Sequence, residues 1–336
     1  DAVDRRRVLP PPLAAARVGE PEVPVPPSAP VPDLRFANGV GGFAPDGREY
    51  VVAGVPPAPW ANVIASPAAG CLATDAGLGC TWVGNSQAAR LTPWHNDPVA
   101  DPPAEVVYLR DEDTGAFWSV TPSPGRGCAS AVRHRPGSTT YTGERDGLAV
   151  EMTAFVAPAD PVKVILLRVA NRRTDRRRLS ATFFAEWVLG TTRETTAPFA
   201  VTAVDPASGA LLARCAFDPD AGPGVAFADT NLRPRTVTGD RLEFLGRNRT
   251  AANPAALARA GLSGHVGAGL DPCAAVQGEF AVPPGESTEV VFVLGFAADD
   301  AAAGRFATQY RDPAVAAAAL RDVTDAWTRR LTAVQV

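Results

Sequence analysis

The chain has 336 residues, 46% hydrophobic and 20% charged, with 33 Pro, 30 Gly and a formal net charge of -4. That balance supplies apolar side chain for a large core and excludes a disordered chain, a collagen-like fibre and a nucleic-acid-binding polycation. Length allows one large β domain or two ordinary ones.

Residues Asp1 to Pro32 are rich in Pro and Ala, and Val23-Pro24-Val25-Pro26-Pro27 predicts an extended linker, because proline fixes φ and removes a backbone donor. From Phe36 to about Phe296 strand follows strand, with turn residues between them and no sustained helical period. Val106 to Arg110 and Phe117 to Val120 flank Glu112-Asp113-Thr114-Gly115 as a hairpin. Leu148, Val150, Met152, Ala154 and Val156 alternate with Glu151, Thr153 and Phe155, which predicts a strand buried on one face. Val162 to Val169 and the alternating Leu179, Ala181, Phe183, Ala185 and Trp187 predict a long hairpin across the polar loop Asn171 to Asp175. Val201 to Val204 and Leu211 to Ala213 form another around Ala207-Ser208-Gly209. Val290 to Phe296 is apolar on both faces, as a central strand requires. The number of strands exceeds an immunoglobulin-sized unit, so the fold class is all-β, a large antiparallel double sheet. After Phe296, Asp299 or Asp300 caps a helix through Tyr310, and Asp312-Pro313 starts a second whose Leu320, Val323, Trp327 and Leu331 form one apolar stripe. That stripe either docks on the β body or joins a further domain. The resulting division is a linker over 1–32, a β domain over 33–297 and a helical linker over 298–336.

The cellular setting is read from what the ends and cysteines lack. The only methionine is Met152, which predicts that Asp1 is a cut from something longer. No apolar run reaches the roughly 18 residues of a membrane span, and the longest, Val162 to Val169, contains Lys163 and Arg168. Arg5-Arg6-Arg7 leads into prolines rather than a signal-peptide core. Cys71, Cys80, Cys128, Cys215 and Cys273 are odd in number and scattered, with only His95, His134 and His265 beside them, so reduced cysteines, no metal and a cytoplasmic location are expected. Lys163 is the only lysine. The Asn248-Arg249-Thr250 sequon carries no weight without secretion.

Pro59 to Asp101 is the most site-like stretch. It gathers Trp60, Trp82 and Trp94 with Asn62, Asn85, Asn96, Arg90, His95 and Asp97, the apolar platforms and planar polar groups that sugar recognition uses. Trp60 and Trp82 also fit a core, whereas Trp94 to Asp97 sits between prolines in a loop, open to a sugar or a partner domain. Arg90, Trp94, His95, Asn96 and Asp97 are therefore the candidate substrate-binding residues, and no catalytic residue is assigned. Asp111, Glu112 and Asp113 read as a solvated hairpin tip rather than a catalytic pair. Gly39-Val40-Gly41-Gly42 lacks the following helix of a phosphate loop. Arg172, Arg173, Arg176, Arg177 and Arg178 read as a solvated or interdomain face, with no nucleic-acid partner expected. No Gly-x-Ser-x-Gly is present.

One succession is recognisable. Phe36-Ala37-Asn38-Gly39-Val40-Gly41-Gly42-Phe43 is followed by Pro59-Trp60-Ala61-Asn62-Val63-Ile64-Ala65, Gly79-Cys80-Thr81-Trp82-Val83-Gly84-Asn85-Ser86, Arg90 to Val99 and Tyr108-Leu109-Arg110-Asp111-Glu112. Then come Asp160-Pro161-Val162-Lys163, Glu186-Trp187-Val188-Leu189-Gly190, Gly239-Asp240-Arg241, Phe244-Leu245-Gly246-Arg247-Asn248 and Gly267 to Cys273. From Phe36 to Val336 the chain resembles the N-terminal, galactose mutarotase-like β-supersandwich of glycoside hydrolase family 94, the inverting phosphorylases. Within that family it most resembles the phosphorylase-like C-terminal module of cyclic β-1,2-glucan synthases. The resemblance implies a barrel of paired helices beyond the helical linker, which holds the general acid and the phosphate site and is absent from this chain. It implies inorganic phosphate as the parent's co-substrate, no cofactor, a β-glucan oligosaccharide as ligand, the (α/α) barrel as partner and a homodimer as an option. A parent held in the inner membrane with this module on the cytoplasmic side is compatible with it. His134 and Gly137 match a His-Gly-x-Gly-Tyr stretch of the family, while Arg135 and Ser138 depart from it, which leaves that loop without an assigned role. The expected function is thus a non-catalytic scaffold, inactive alone, with an autonomous carbohydrate-binding module or an assembly domain pairing through the helix stripe as alternatives.

Overall fold

The computed structural model describes residues 33–125, 127–217 and 224–333, so the Pro/Ala-rich segment 1–32 lies outside the described residues. In chain order the first strands are β1 Gly41–Phe43, β2 Tyr50–Val52, β3 Ala61–Ala65, β4 Ala69–Thr74, β5 Leu78–Val83, β6 Glu105–Asp111 and β7 Phe117–Ser119. Next are β8 Ala129–Arg135, β9 Ser138–Arg145, β10 Leu148–Val156, β11 Val162–Asn171 and β12 Arg177–Glu186. A short helix α1 Arg193–Thr196 precedes β13 Ala200–Val204, β14 Leu211–Cys215, β15 Val225–Thr230 and β16 Arg235–Asp240. Helix α2 Arg241–Leu245, strands β17 Pro272–Val282 and β18 Ser287–Ala297, and helices α3 Asp300–Tyr310 and α4 Pro313–Thr332 complete the described residues.

The strands form two sheets, antiparallel throughout. One has ten strands in the order β1-β2-β8-β9-β10-β11-β18-β15-β14-β13, and the other has eight, β16-β17-β12-β6-β5-β4-β3 with β7 beside β6. The alternation read from sequence sets their faces. Leu148, Val150, Met152, Ala154 and Val156 of β10 point into the core between the sheets, opposite Leu179, Ala181, Phe183 and Ala185 of β12. Phe183 stacks on Phe292 across that core with ring centroids 5.9 Å apart. Strand β18 is central, between β11 and β15, with Val290, Phe292 and Leu294 facing inward and Val291 and Val293 facing outward.

The expected hairpin of β11 with β12 is not formed. β11 pairs β10 and β18 in the ten-stranded sheet, while β12 pairs β17 and β6 in the other. The polar loop is an arch between sheets, held where the Asn171 amide donates to the Asp175 and Val282 carbonyls at 2.7 and 3.0 Å. Alternation specifies which face of a strand is apolar, and two strands facing each other across a core satisfy it as well as two lying side by side. The Asp111-Glu112-Asp113 tip is also not fully solvated, because Asp111 is buried and its carboxylate accepts from Arg177 at 2.5 Å.

Both C-terminal helices begin at side-chain caps: Asp299 accepts from the Ala302 amide, and Asp312 from those of Ala314 and Val315. They cover the outer face of the ten-stranded sheet, where Ala303, Ala307, Ala316, Ala319 and Val323 bury against Val291, Val293 and Phe227. The stripe of α4 is thus docked on the β body, with Leu320 and Trp327 half-buried there and Leu331 exposed.

Candidate functional site

Strand register brings many of the recognisable stretches to one end of the sandwich. The start of β6, the end of β12, the start of β17 and the end of β16 lie side by side. In the facing sheet the start of β11 lies beside the end of β18, which adjoins the start of β15. The two sheets meet here through a fully buried ion pair, Lys163 of β11 donating to Glu105 of β6 at 2.7 Å. The hydroxyls of Thr81 and Thr92 donate to the other Glu105 oxygen. Burial disfavours the Lys163 ammonium, but the neighbouring Cys71 sulfur and Glu105 carboxylate outweigh that and hold its pKa above the ordinary lysine value.

Above this end lies the loop of candidate binding residues. Arg90 forms isolated backbone bridges with Trp82 and Gly190. Its Nε donates to the Ser86 carbonyl at 2.8 Å and its Nη1 to Thr191 at 3.2 Å. The fixed guanidinium lies 5.4 Å from the centroid of the Trp94 ring, a cation–π contact. Trp94 remains 48% exposed. His95, Asn96 and Asp97 follow on the exposed crest, Asn96 in the left-handed region at φ 47°. Asp97 accepts from the Val99 and Ala100 amides at 2.9 and 3.1 Å, and those donors hold its carboxyl below the usual range. Structure therefore joins Arg90 to Trp94, leaves His95 and Asn96 open to solvent, and commits one Asp97 oxygen to its own turn. The cavity beneath Arg90, walled by Leu189, Gly190, Cys215 and Phe296, measures about 40 Å³, room for water rather than a sugar ring.

Next to this loop is a charge cluster that sequence reasoning missed. Arg241 at the start of α2 donates to Glu186 at 2.6 Å and to Asp271 at 3.2 Å. Arg193 at the start of α1 reaches the same two carboxylates. Burial lowers the Arg193 pKa, with Glu186 acting in the opposite sense. Three members come from the recognisable stretches Glu186 to Gly190, Gly239 to Arg241 and Gly267 to Cys273, whose convergence was the available signal.

His134 and Gly137 belong to a different place. His134 donates from Nε2 to the Trp60 carbonyl at 3.1 Å, and its Nδ1 meets the Thr139 hydroxyl at 3.0 Å, so both ring nitrogens are engaged. Burial keeps its pKa below the usual value. Gly137, at φ 80°, lets the Trp327 ring pass: a Cβ there would lie 2.5 Å from Trp327 Cδ1 and Nε1. This turn walls a groove of about 410 Å³ with Trp327, Leu331 and the 46–49 turn. Trp60 packs edge-on against Tyr50 at 5.6 Å, and Trp82 lies across Gly70, so both are structural. Cys71, Cys80, Cys128 and Cys273 are buried, Cys215 is half-buried, and all five are free. Among the described residues no cluster of three or more His, Cys, Asp or Glu could hold a metal, and no helix is long and apolar enough to cross a membrane.

Residues 48–313 match the glycosyl hydrolase 94 supersandwich domain, and the chain belongs to that family. It is 35% identical over 272 residues to the cyclic beta-(1,2)-glucan synthase NdvB of Rhizobium meliloti, covering 78% of this chain and 10% of that protein. It is 25% identical over 307 residues to the N,N'-diacetylchitobiose phosphorylase of Vibrio proteolyticus, covering 88% of this chain and 38% of that enzyme. The chain thus spans about one tenth and two fifths of these relatives. Among solved structures, a bacterial glucoamylase aligns over 82% of this chain and 39% of its own, with 8% identity and a TM-score of 0.48.

Proposed function

We propose that the chain is the non-catalytic supersandwich of an enzyme acting on β-glucan, of the cyclic β-1,2-glucan synthase or glycoside phosphorylase type. The observation that carries this is the 35% identity to NdvB over 272 residues. In the parent, a carboxylic acid would protonate the glycosidic oxygen while phosphate attacks the anomeric carbon, chemistry parallel to an inverting glycosidase. This domain would brace the (α/α) barrel that carries that acid, shape substrate access and take part in subunit pairing, on the cytoplasmic side of the membrane. The 336-residue chain incubated with β-1,2-glucan and phosphate should release no glucose 1-phosphate, and steady release would overturn the assignment.

The half-exposed Trp94 ring, stiffened by Arg90 on a loop with free Asn96 and His95, supports sugar contact at the same end of the sandwich. Titration calorimetry with β-1,2-oligoglucosides should give heat that Trp94→Ala abolishes. No heat at millimolar oligosaccharide, or heat unchanged in the variant, rejects this contact.

A further inference from the structure

The groove beside Trp327 has the chemistry of a site for extended, apolar chain. Trp327 and Leu331 of α4 and Pro136 of the β8–β9 turn line its volume of about 410 Å³, within the roughly 300–1,000 Å³ of ligand clefts. Thr324, Thr328 and Thr332 present methyl rather than hydroxyl there, since each hydroxyl donates to a carbonyl one helical turn back, at 2.9, 2.8 and 2.7 Å. Glu49 on the rim is neutralised by Arg133, at 2.6 Å, and by Arg135. Among the described residues nothing accepts from the Trp327 indole N–H, which is left for a carbonyl.

The chain itself enters the β body at this place. Arg35 lies antiparallel to β1, its amide donating to the Phe43 carbonyl at 2.8 Å and its carbonyl accepting from the Phe43 amide at 2.9 Å. Its Nη1 donates to the Pro45 carbonyl at 3.4 Å. Traced backwards from Arg35, the chain therefore passes Ala44 and Pro45 toward the 46–49 turn that walls the groove. The sequence just before Asp33 has a period of its own: Pro21, Pro24, Pro27 and Pro30 recur at every third residue, and Glu22 is the single charge between Pro21 and Pro32. A polyproline II helix has three residues per turn and leaves its carbonyls without internal partners, so this spacing predicts one continuous prolyl edge with acceptors along it. At about 3.1 Å per residue, Pro30 and Pro27 stand roughly 9 and 19 Å of chain from Asp33, within reach of Trp327 across the turn.

We propose that the groove is the docking site of this chain's own segment Pro21 to Pro32, taken up as a polyproline II helix with its prolyl edge on Trp327 and Leu331. Aromatic-lined grooves recognise such segments because the ligand is already extended and loses little entropy on binding. A tether this short holds the segment at roughly millimolar effective concentration, so a weak intrinsic affinity suffices to fill the groove. The docked strap covers the exposed end of the α4 stripe and fixes the direction in which the residues before Pro21 leave the β body. The proposal does not depend on the glycosidic reading.

Disulfide trapping in the whole chain tests it. Ser28→Cys combined with Leu331→Cys, the latter at an exposed position, should close a bridge within one chain under a mild oxidant, identified by peptide mass mapping. Replacing Pro21, Pro24, Pro27 and Pro30 by Ser keeps the tether length and should slow that closure about tenfold or more. A free peptide of residues 21–32 at millimolar concentration should also slow it, and a shuffled peptide of the same composition should not. Melting curves matching wild type would show that the cysteine variants are folded. Equal closure rates with and without the prolines would mean proximity alone and overturn the proposal. Closure indifferent to the peptide, or bridges that join two chains, overturn it as well.

Discussion

The buried pair of Lys163 and Glu105 gives the sharpest test of how the two sheets are held in register. At 2.7 Å, with an effective dielectric near 20, the attraction is about 6 kcal/mol. Desolvating two ions costs several kcal/mol each, so the net contribution of the intact pair is small. Removing one partner is different, because the other charge stays buried without compensation. Glu105→Gln and Lys163→Met should each cost about 3–5 kcal/mol, whereas Glu105→Gln with Lys163→Met together should recover most of that loss. Urea unfolding followed by tryptophan fluorescence measures all four proteins of the cycle. If the single variants are insoluble and the double variant is soluble, the same conclusion follows. Single costs within about 1 kcal/mol of wild type, or a double cost equal to the sum of the singles, would refute the idea that burial of an unpaired charge sets the penalty.

Gly137→Ala should destabilise by about 1–3 kcal/mol, since it adds a Cβ against Trp327 at a positive φ, and denaturant midpoints would register it. Thiol labelling under native conditions should modify Cys215 first, with Cys71, Cys80, Cys128 and Cys273 protected until unfolding; peptide mass mapping reads the order. Stability should fall as pH rises above about 9, because burial raises the Cys71 thiol to about 11 and Cys80 and Cys128 to about 12. Those thiols stay protonated in the fold but ionise once unfolded, so their contribution is complete below the ordinary thiol pKa and is lost toward the folded values. Lys163, with its raised pKa, adds a second loss above about 10.5, and melting temperatures flat to pH 11 would contradict both.

Strand faces were legible in the sequence because a period of two survives whatever the partner. Leu148 to Val156 and Leu179 to Trp187 bury the alternating positions that their pattern predicts, but not on one face alone: Phe155 and Phe184 on the opposite faces are buried too, under the helices that cover each sheet from outside. Partners were not legible: the loop 172–176 reads alike as hairpin or arch, and only the three-dimensional arrangement places β11 and β12 in different sheets. The candidate loop was legible as an exposed segment between prolines, with its aromatic outward. The Lys163 pair was hidden because Glu105 lies 58 residues away and a lysine within an apolar strand reads as an interruption. Its being the sole lysine of an arginine-rich chain was the available clue.

The placement of the last two strands has a consequence for biosynthesis. β17 fills the place between the edge strand β16 and β12 in one sheet, and β18 the place between β11 and β15 in the other, both long after β11 and β12 were made. A nascent chain still short of Pro272 leaves β11 and β12 each with a bare edge beside an unfinished core. This domain therefore closes only after nearly all of it has left the ribosome, and the helices that follow seal the face that β18 has just completed.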